Sequence, residues 1–78
     1  MPKLKPSPVE MRKRRTRALL KGLQSVHDVP HDRLAKAANI GKSTLYKHFA
    51  NPGEFTLDEL WGLSRVLHFD IQIVEREL

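Results

Sequence analysis

Between Val29 and Glu54 the chain is cut three times, at Pro30, at Asn39-Ile40-Gly41 and at Asn51-Pro52-Gly53. A proline ring is tolerated in the first turn of a helix but not beyond it, and asparagine is the commonest substitute for glycine in the left-handed conformation that ends one. Asn-Pro-Gly stops a helix. The stretch is therefore limited to two short helices, His31 to Ala38 and Lys42 to Ala50, with Gly41 as the N-cap of the second and Ile40 as an apolar plug between them. Two helices joined by so short a turn must cross steeply.

The flanks extend this pattern. Ser7, Pro8 and Glu10 form a helix-start signal, a capping box with proline at the first helical position, and predict a first helix over residues 8–26. Along it Leu19, Leu20, Leu23 and Val26 recur at steps of three and four and are expected to face inward. Arg12, Lys13, Arg14, Arg15 and Arg17 encircle its first half and must meet solvent or something acidic. Thr56 and Glu59 make a second capping box and open a fourth helix over 57–68, whose stripe is read as Leu57, Leu60, Trp61, Ser64 and Leu67, widened by Leu63 and Val66. Trp61 is expected in the core, since so small a domain needs its one large aromatic inside. Residues 1–7 read as a flexible basic arm and 8–70 as the domain. Residues 71–78 fit either a helix capped by Asp70 or a short strand, with the β-branched Ile71, Ile73 and Val74 favouring the strand, which a second copy of the chain could pair.

Seventy-eight residues support one small all-α domain and exclude a large enzyme fold. No apolar run spans a bilayer and no secretory leader is recognisable, so a cytoplasmic protein without a membrane partner is expected. The absence of cysteine removes disulfides, thiol nucleophiles and cysteine-containing zinc sites. The charge is divided: residues 1–50 carry twelve Lys and Arg against three acids, and residues 51–78 carry two against six. Such asymmetry points to a polyanion, nucleic acid above all, on one face and another task on the other.

The run LAKAANIGKSTL, with Leu34, Ala35, Ala38, Asn39, Ile40 and Leu45 at its key positions, resembles the helix-turn-helix of the Cro/repressor, or lambda-repressor-like, family. Ala35 is small where two helices approach, Asn39 tolerates the turn, and Ile40 with Leu45 locks the second helix on the first. TLDELWGLSRVLHFDI also looks like the family's fourth helix and following segment, so the resemblance covers about residues 9–70. Asn39 stands where the family most often has glycine, and Gly41 where it prefers a serine or threonine cap. STLYKHF is also similar to the recognition helix of TetR-type regulators, although the 29 residues after Phe49 leave no room for their ligand-binding domain.

The resemblance implies a transcriptional regulator, a phage- or mobile-element-type repressor that binds double-stranded DNA as a homodimer with the third helix in the major groove. Lys42, Ser43, Thr44, Tyr46 and Lys47 are then the base-reading residues, with Leu45 and Phe49 turned inward. His31 would meet the phosphate backbone at the start of the second helix, helped by Arg33, Asn51 and Gly53. Arg12, Lys13, Arg14, Arg15 and Arg17, with Lys3 and Lys5 of the arm, would add backbone contacts. The alternative is an antitoxin whose acidic half, Glu54, Asp58, Glu59, Glu75 and Glu77, faces a basic toxin protein.

Other chemistry is poorly supported by the sequence. GKST matches the end of a phosphate-binding P-loop, but the glycine that motif needs five residues earlier is Lys36, inside a helix. The repeated His-Asp pairs, His27-Asp28 and His31-Asp32, are interrupted by Pro30 and lack metal-ligand spacing, so no metal or cofactor is expected. His48 falls where relatives bury a ring and is read as partly buried, and His68 as a packing or surface residue. No nucleophile, base and acid can be assembled, and the chain is read as a binding protein without enzymatic activity.

Overall fold

The structure, a computed structural model, describes residues 7–76. Residues 1–6 of the basic arm, with Lys3 and Lys5, and residues 77–78, with Glu77, lie outside the described residues. The fold is all-helical: α1 (Pro8–His27), α2 (His31–Ala38), α3 (Lys42–Ala50), a single 3-10 turn (Pro52–Glu54) and α4 (Leu57–Leu67). Local chemistry sets each boundary. The Glu10 amide donates to Ser7 Oγ at 3.2 Å, and Pro8 opens α1. At α4 the capping box is complete, with the Glu59 amide donating to Thr56 Oγ1 at 3.1 Å and the Thr56 amide donating to Glu59 Oε1 at 3.4 Å. Pro30 and Gly41 start α2 and α3 without a side-chain cap.

Asn39 takes the left-handed conformation expected of it, φ 58° and ψ 45°. Its amide and that of Ile40 donate to Lys36 and Ala35, which satisfies the last carbonyls of α2 while the chain reverses. Asp28 and His68 end α1 and α4 in the same conformation, at φ 53° and 58°. These two terminations were not anticipated from the sequence, because neither position carries the expected glycine or asparagine.

The core gathers Leu20, Val29, Leu34, Ala35, Ala38, Leu45, Phe49, Phe55, Leu63 and Leu67, with Leu23, Ile40, Leu60, Val66 and Phe69 packed around it. Leu34, Leu45, Leu63 and Leu67 are fully enclosed, one from α2, one from α3 and two from α4. Each contributes about 1.5–3 kcal/mol by leaving water. α2 and α4 meet backbone to backbone at Gly62: a Cβ there would overlap the Ala37 carbonyl oxygen and lie 2.8 Å from the Ala37 carbonyl carbon and 3.0 Å from Ala38 Cα.

Three sequence expectations are corrected. Trp61 is 47% exposed, and Leu57 lies open beside it on α4. Trp61 and Leu63 stand two residues apart, about 200° around a helix, so both cannot face the core, and the enclosed Leu63 takes it. Leu19 and Val26 of α1 are exposed because α1 seats only the arc of Leu20 and Leu23 on the core. Residues 69–76 carry no regular secondary structure, so Ile71, Ile73 and Val74 form neither strand nor helix; a strand needs a partner, and none stands beside them among the described residues. Among the described residues no helix is long and apolar enough to cross a membrane.

Candidate nucleic-acid interface

α3 divides into two sides. Leu45 and Phe49 enter the core, while Lys42, Ser43, Tyr46 and Lys47 lie in solvent and Thr44 is half-buried between them. The division follows from helical spacing, since positions 45 and 49 share a face that positions 43, 46 and 47 do not. At the N-terminal end of α3, Lys42 Nζ pairs with Asp32 Oδ1 at 2.7 Å, both groups being exposed. The hydrogen bond to Asp32, and then its charge, hold the Lys42 ammonium above the ordinary lysine pKa. Asp32 belongs to the first turn of α2, where the helix dipole favours an acid.

Around Phe49 the structure brings together side chains from three helices. The His31 ring, at the start of α2, packs 5.0 Å from the Tyr46 ring and edge-on to Phe49 at 6.4 Å. From α1, Lys21 Nζ stands 5.6 Å above the same Phe49 ring. Arg17 reaches the far end of α3, with Nε donating to the Phe49 carbonyl at 2.8 Å and Nη2 to the Ala50 carbonyl at 2.6 Å. Two of its donors are thereby engaged in tying α1 to the C-terminus of α3, where a cation also suits the dipole. Arg17, Lys21, Tyr46, Phe49 and Ala50 line a shallow open groove.

The remaining α1 cations are distributed along the helix. Arg12, Arg14 and Arg15 are exposed and Lys13 is half-buried. Lys13 lays its stem across Gly53, with Cε 3.2 Å from where a Cβ would sit, in a groove completed by Val9, Arg12, Thr16 and Pro52. Arg12 and Arg15 also border a hollow with Arg76 of the tail. Asn51, half-buried, donates from Nδ2 to Glu54 Oε1 at 3.3 Å, and Arg33 stands in solvent on α2.

Behind α3 lies a polar pair that the sequence only half disclosed. His48, partly buried as expected, places Nδ1 2.7 Å from Glu59 Oε1 and Nε2 4.0 Å from Glu54 Oε2, while its ring meets Phe55 edge-on. Glu59 is 9% exposed, which removes it from the acidic surface on which the sequence had placed it. Its partner is eleven residues away across the Asn-Pro-Gly turn, a separation that helical spacing does not encode. Lys21 was also missed, although it stands one turn beyond Arg17 on the same face of α1. The histidines of the His-Asp pairs serve packing: His27 lies 4.6 Å from His68, joining the ends of α1 and α4. Among the described residues no cluster of three or more His, Asp or Glu has the disposition of a metal site.

Comparison with protein-family models, with curated proteins and with solved structures finds no match.

Proposed function

We propose that this chain is a sequence-specific double-stranded DNA-binding regulator of the helix-turn-helix type, a repressor that occupies its operator as a dimer. α2, the Asn39 turn and α3 form the motif. α3 enters the major groove, Lys42, Ser43, Thr44 and Lys47 meet base edges, and the cations of α1 with His31 and Arg33 meet the backbone. The observation that carries this reading is the two-sided build of α3, which anchors Leu45 and Phe49 in the core and holds polar and cationic side chains outward with basic side chains of α1 and α2 beside them. Selection of bound duplexes from a random pool tests it. The expected outcome is enrichment of a short inverted repeat, and equal affinity for all duplexes at physiological salt rejects sequence-specific binding.

A second reading, an antitoxin that also binds a toxin protein, is favoured by Leu57 and Trp61, which lie exposed on α4 beside Asp58. Large apolar side chains grouped in solvent suit a protein partner. A toxin-like reading frame next to the gene, and a stable complex of the two co-expressed products, are the outcomes that would favour it over the repressor alone.

A further inference from the structure

We propose that the groove between α1 and α3 seats one phosphate of the duplex backbone, with Lys21 and Tyr46 as its ligands, so that Tyr46 fixes the position of α3 instead of reading a base. This rests on the DNA-binding reading above. The groove flanks the solvent edge of α3 on its α1 side, and with α3 in a major groove a sugar-phosphate strand would run along such an edge. Its lining residues, Arg17, Lys21, Tyr46, Phe49 and Ala50, include no carboxylate. Arg17 is fixed by two of its five donors on the α3 carbonyls, whereas the Lys21 ammonium, over the Phe49 ring, keeps its N–H donors for a ligand. Among the described residues no carboxylate lies within ion-pair distance of Lys21.

Tyr46 packs against the His31 ring and Lys21 stands over the face of Phe49, and both residues line the same groove. An ammonium point charge and a hydroxyl donor together match the oxygens of one phosphodiester. Lys42 differs from Lys21 in being already paired to Asp32, so backbone attraction at that end of α3 is partly offset.

The test uses the full chain and the duplex enriched from the random pool, titrated between about 50 and 200 mM salt. Lys21→Gln should reduce the salt slope by about 0.9, so that about 3.5-fold less affinity is lost over that range than in the native chain, with the ranking of base-pair variants unchanged. Tyr46→Phe should weaken binding about 5-fold, again without altering base preference. Lys36→Gln removes the same charge from the α2–α4 groove beside Gly62 and Arg65, and should change the slope less than Lys21→Gln does. A native slope in Lys21→Gln, an equal change in Lys36→Gln, or a preference altered at one base pair by Tyr46→Phe overturns the assignment while leaving the DNA-binding reading standing. If the native chain shows no salt-dependent duplex binding, the functional reading falls and this seat falls with it.

Discussion

Two glycines inside helices should respond to alanine with opposite signs. Gly22 lies exposed in α1, and a Cβ there has no neighbour within 4 Å. Gly22→Ala should therefore stabilise by helix propensity, about 0.8–1 kcal/mol. Gly62 gains the same propensity on substitution, but its Cβ would be driven into the Ala37 carbonyl and against Ala38 Cα. Those atoms are backbone, so no rotamer change relieves the overlap; α2 must move off α4 and loosen the packing of Leu34, Ala35 and Ala38. Overpacking costs about 1–3 kcal/mol, and a rigid obstacle places the cost at the upper end, leaving a net loss of about 2 kcal/mol after the propensity gain. For a domain of this size each kcal/mol shifts Tm by about 4–8 °C. Thermal unfolding followed by circular dichroism should show Gly62→Ala melting about 8–16 °C below the native chain and Gly22→Ala about 4–8 °C above it. If Gly62→Ala melts higher than the native chain, the close approach of α2 and α4 is refuted.

Arg17→Met keeps most of the aliphatic stem but removes both bonds to α3, and should lower stability by about 1.5 kcal/mol in urea unfolding, with faster amide exchange at the end of α3. His48→Ala strips Glu59 of its 2.7 Å partner and should cost about 1–3 kcal/mol; Glu59→Gln in the same chain should recover part of that loss, and an additive double variant would deny the pairing. Because Asp32 raises the Lys42 pKa, the pair's contribution is present below the ordinary lysine pKa and lost as pH rises through the raised one. In Asp32→Asn, the Lys42 titration followed by NMR should move down. In duplex binding, Lys42→Ala should relax base preference, whereas Arg14→Ala should weaken all sequences alike and reduce the salt slope by about 0.9; exchanged outcomes would show that α3 is not the reading helix.

The helix plan was legible because its punctuation is local. Pro30, Asn39, Gly41 and Asn51-Pro52-Gly53 act through their own backbone preferences, and the bounds of α2 and α3 agree with the reading residue for residue. Facing was legible where a helix offers one narrow stripe, as with Leu45 and Phe49. On α1 and α4 it held for Leu20, Leu23, Leu60, Leu63, Val66 and Leu67 and failed for Leu19, Val26, Leu57 and Trp61, because the apolar residues cover more arc than the neighbouring helices can bury. The ties between elements were hidden, since Arg17 with α3 and His48 with Glu59 depend on how whole helices sit. Gly62 gave no sign either, because an isolated helical glycine reads the same whether it is exposed, as Gly22 is, or pressed against a backbone. Of the candidate site, the outward edge of α3 was foreseen, and Lys21 became visible only once Phe49 stood beneath it.

The bonds from Arg17 to α3 also have a kinetic meaning. They close loops of 32 and 33 residues, whereas the caps of α1, α2 and α4 are settled within a few positions. Loop closure of that length costs more entropy than a local cap, so the tie of α3 to α1 is expected to form after the turns around Asp28 and Asn39 and after the rate-limiting step. Contacts made after the rate-limiting step govern unfolding more than folding. Loss of this tie should therefore shorten the lifetime of the folded chain more than it slows its formation, leaving Leu45 and Phe49 to hold α3.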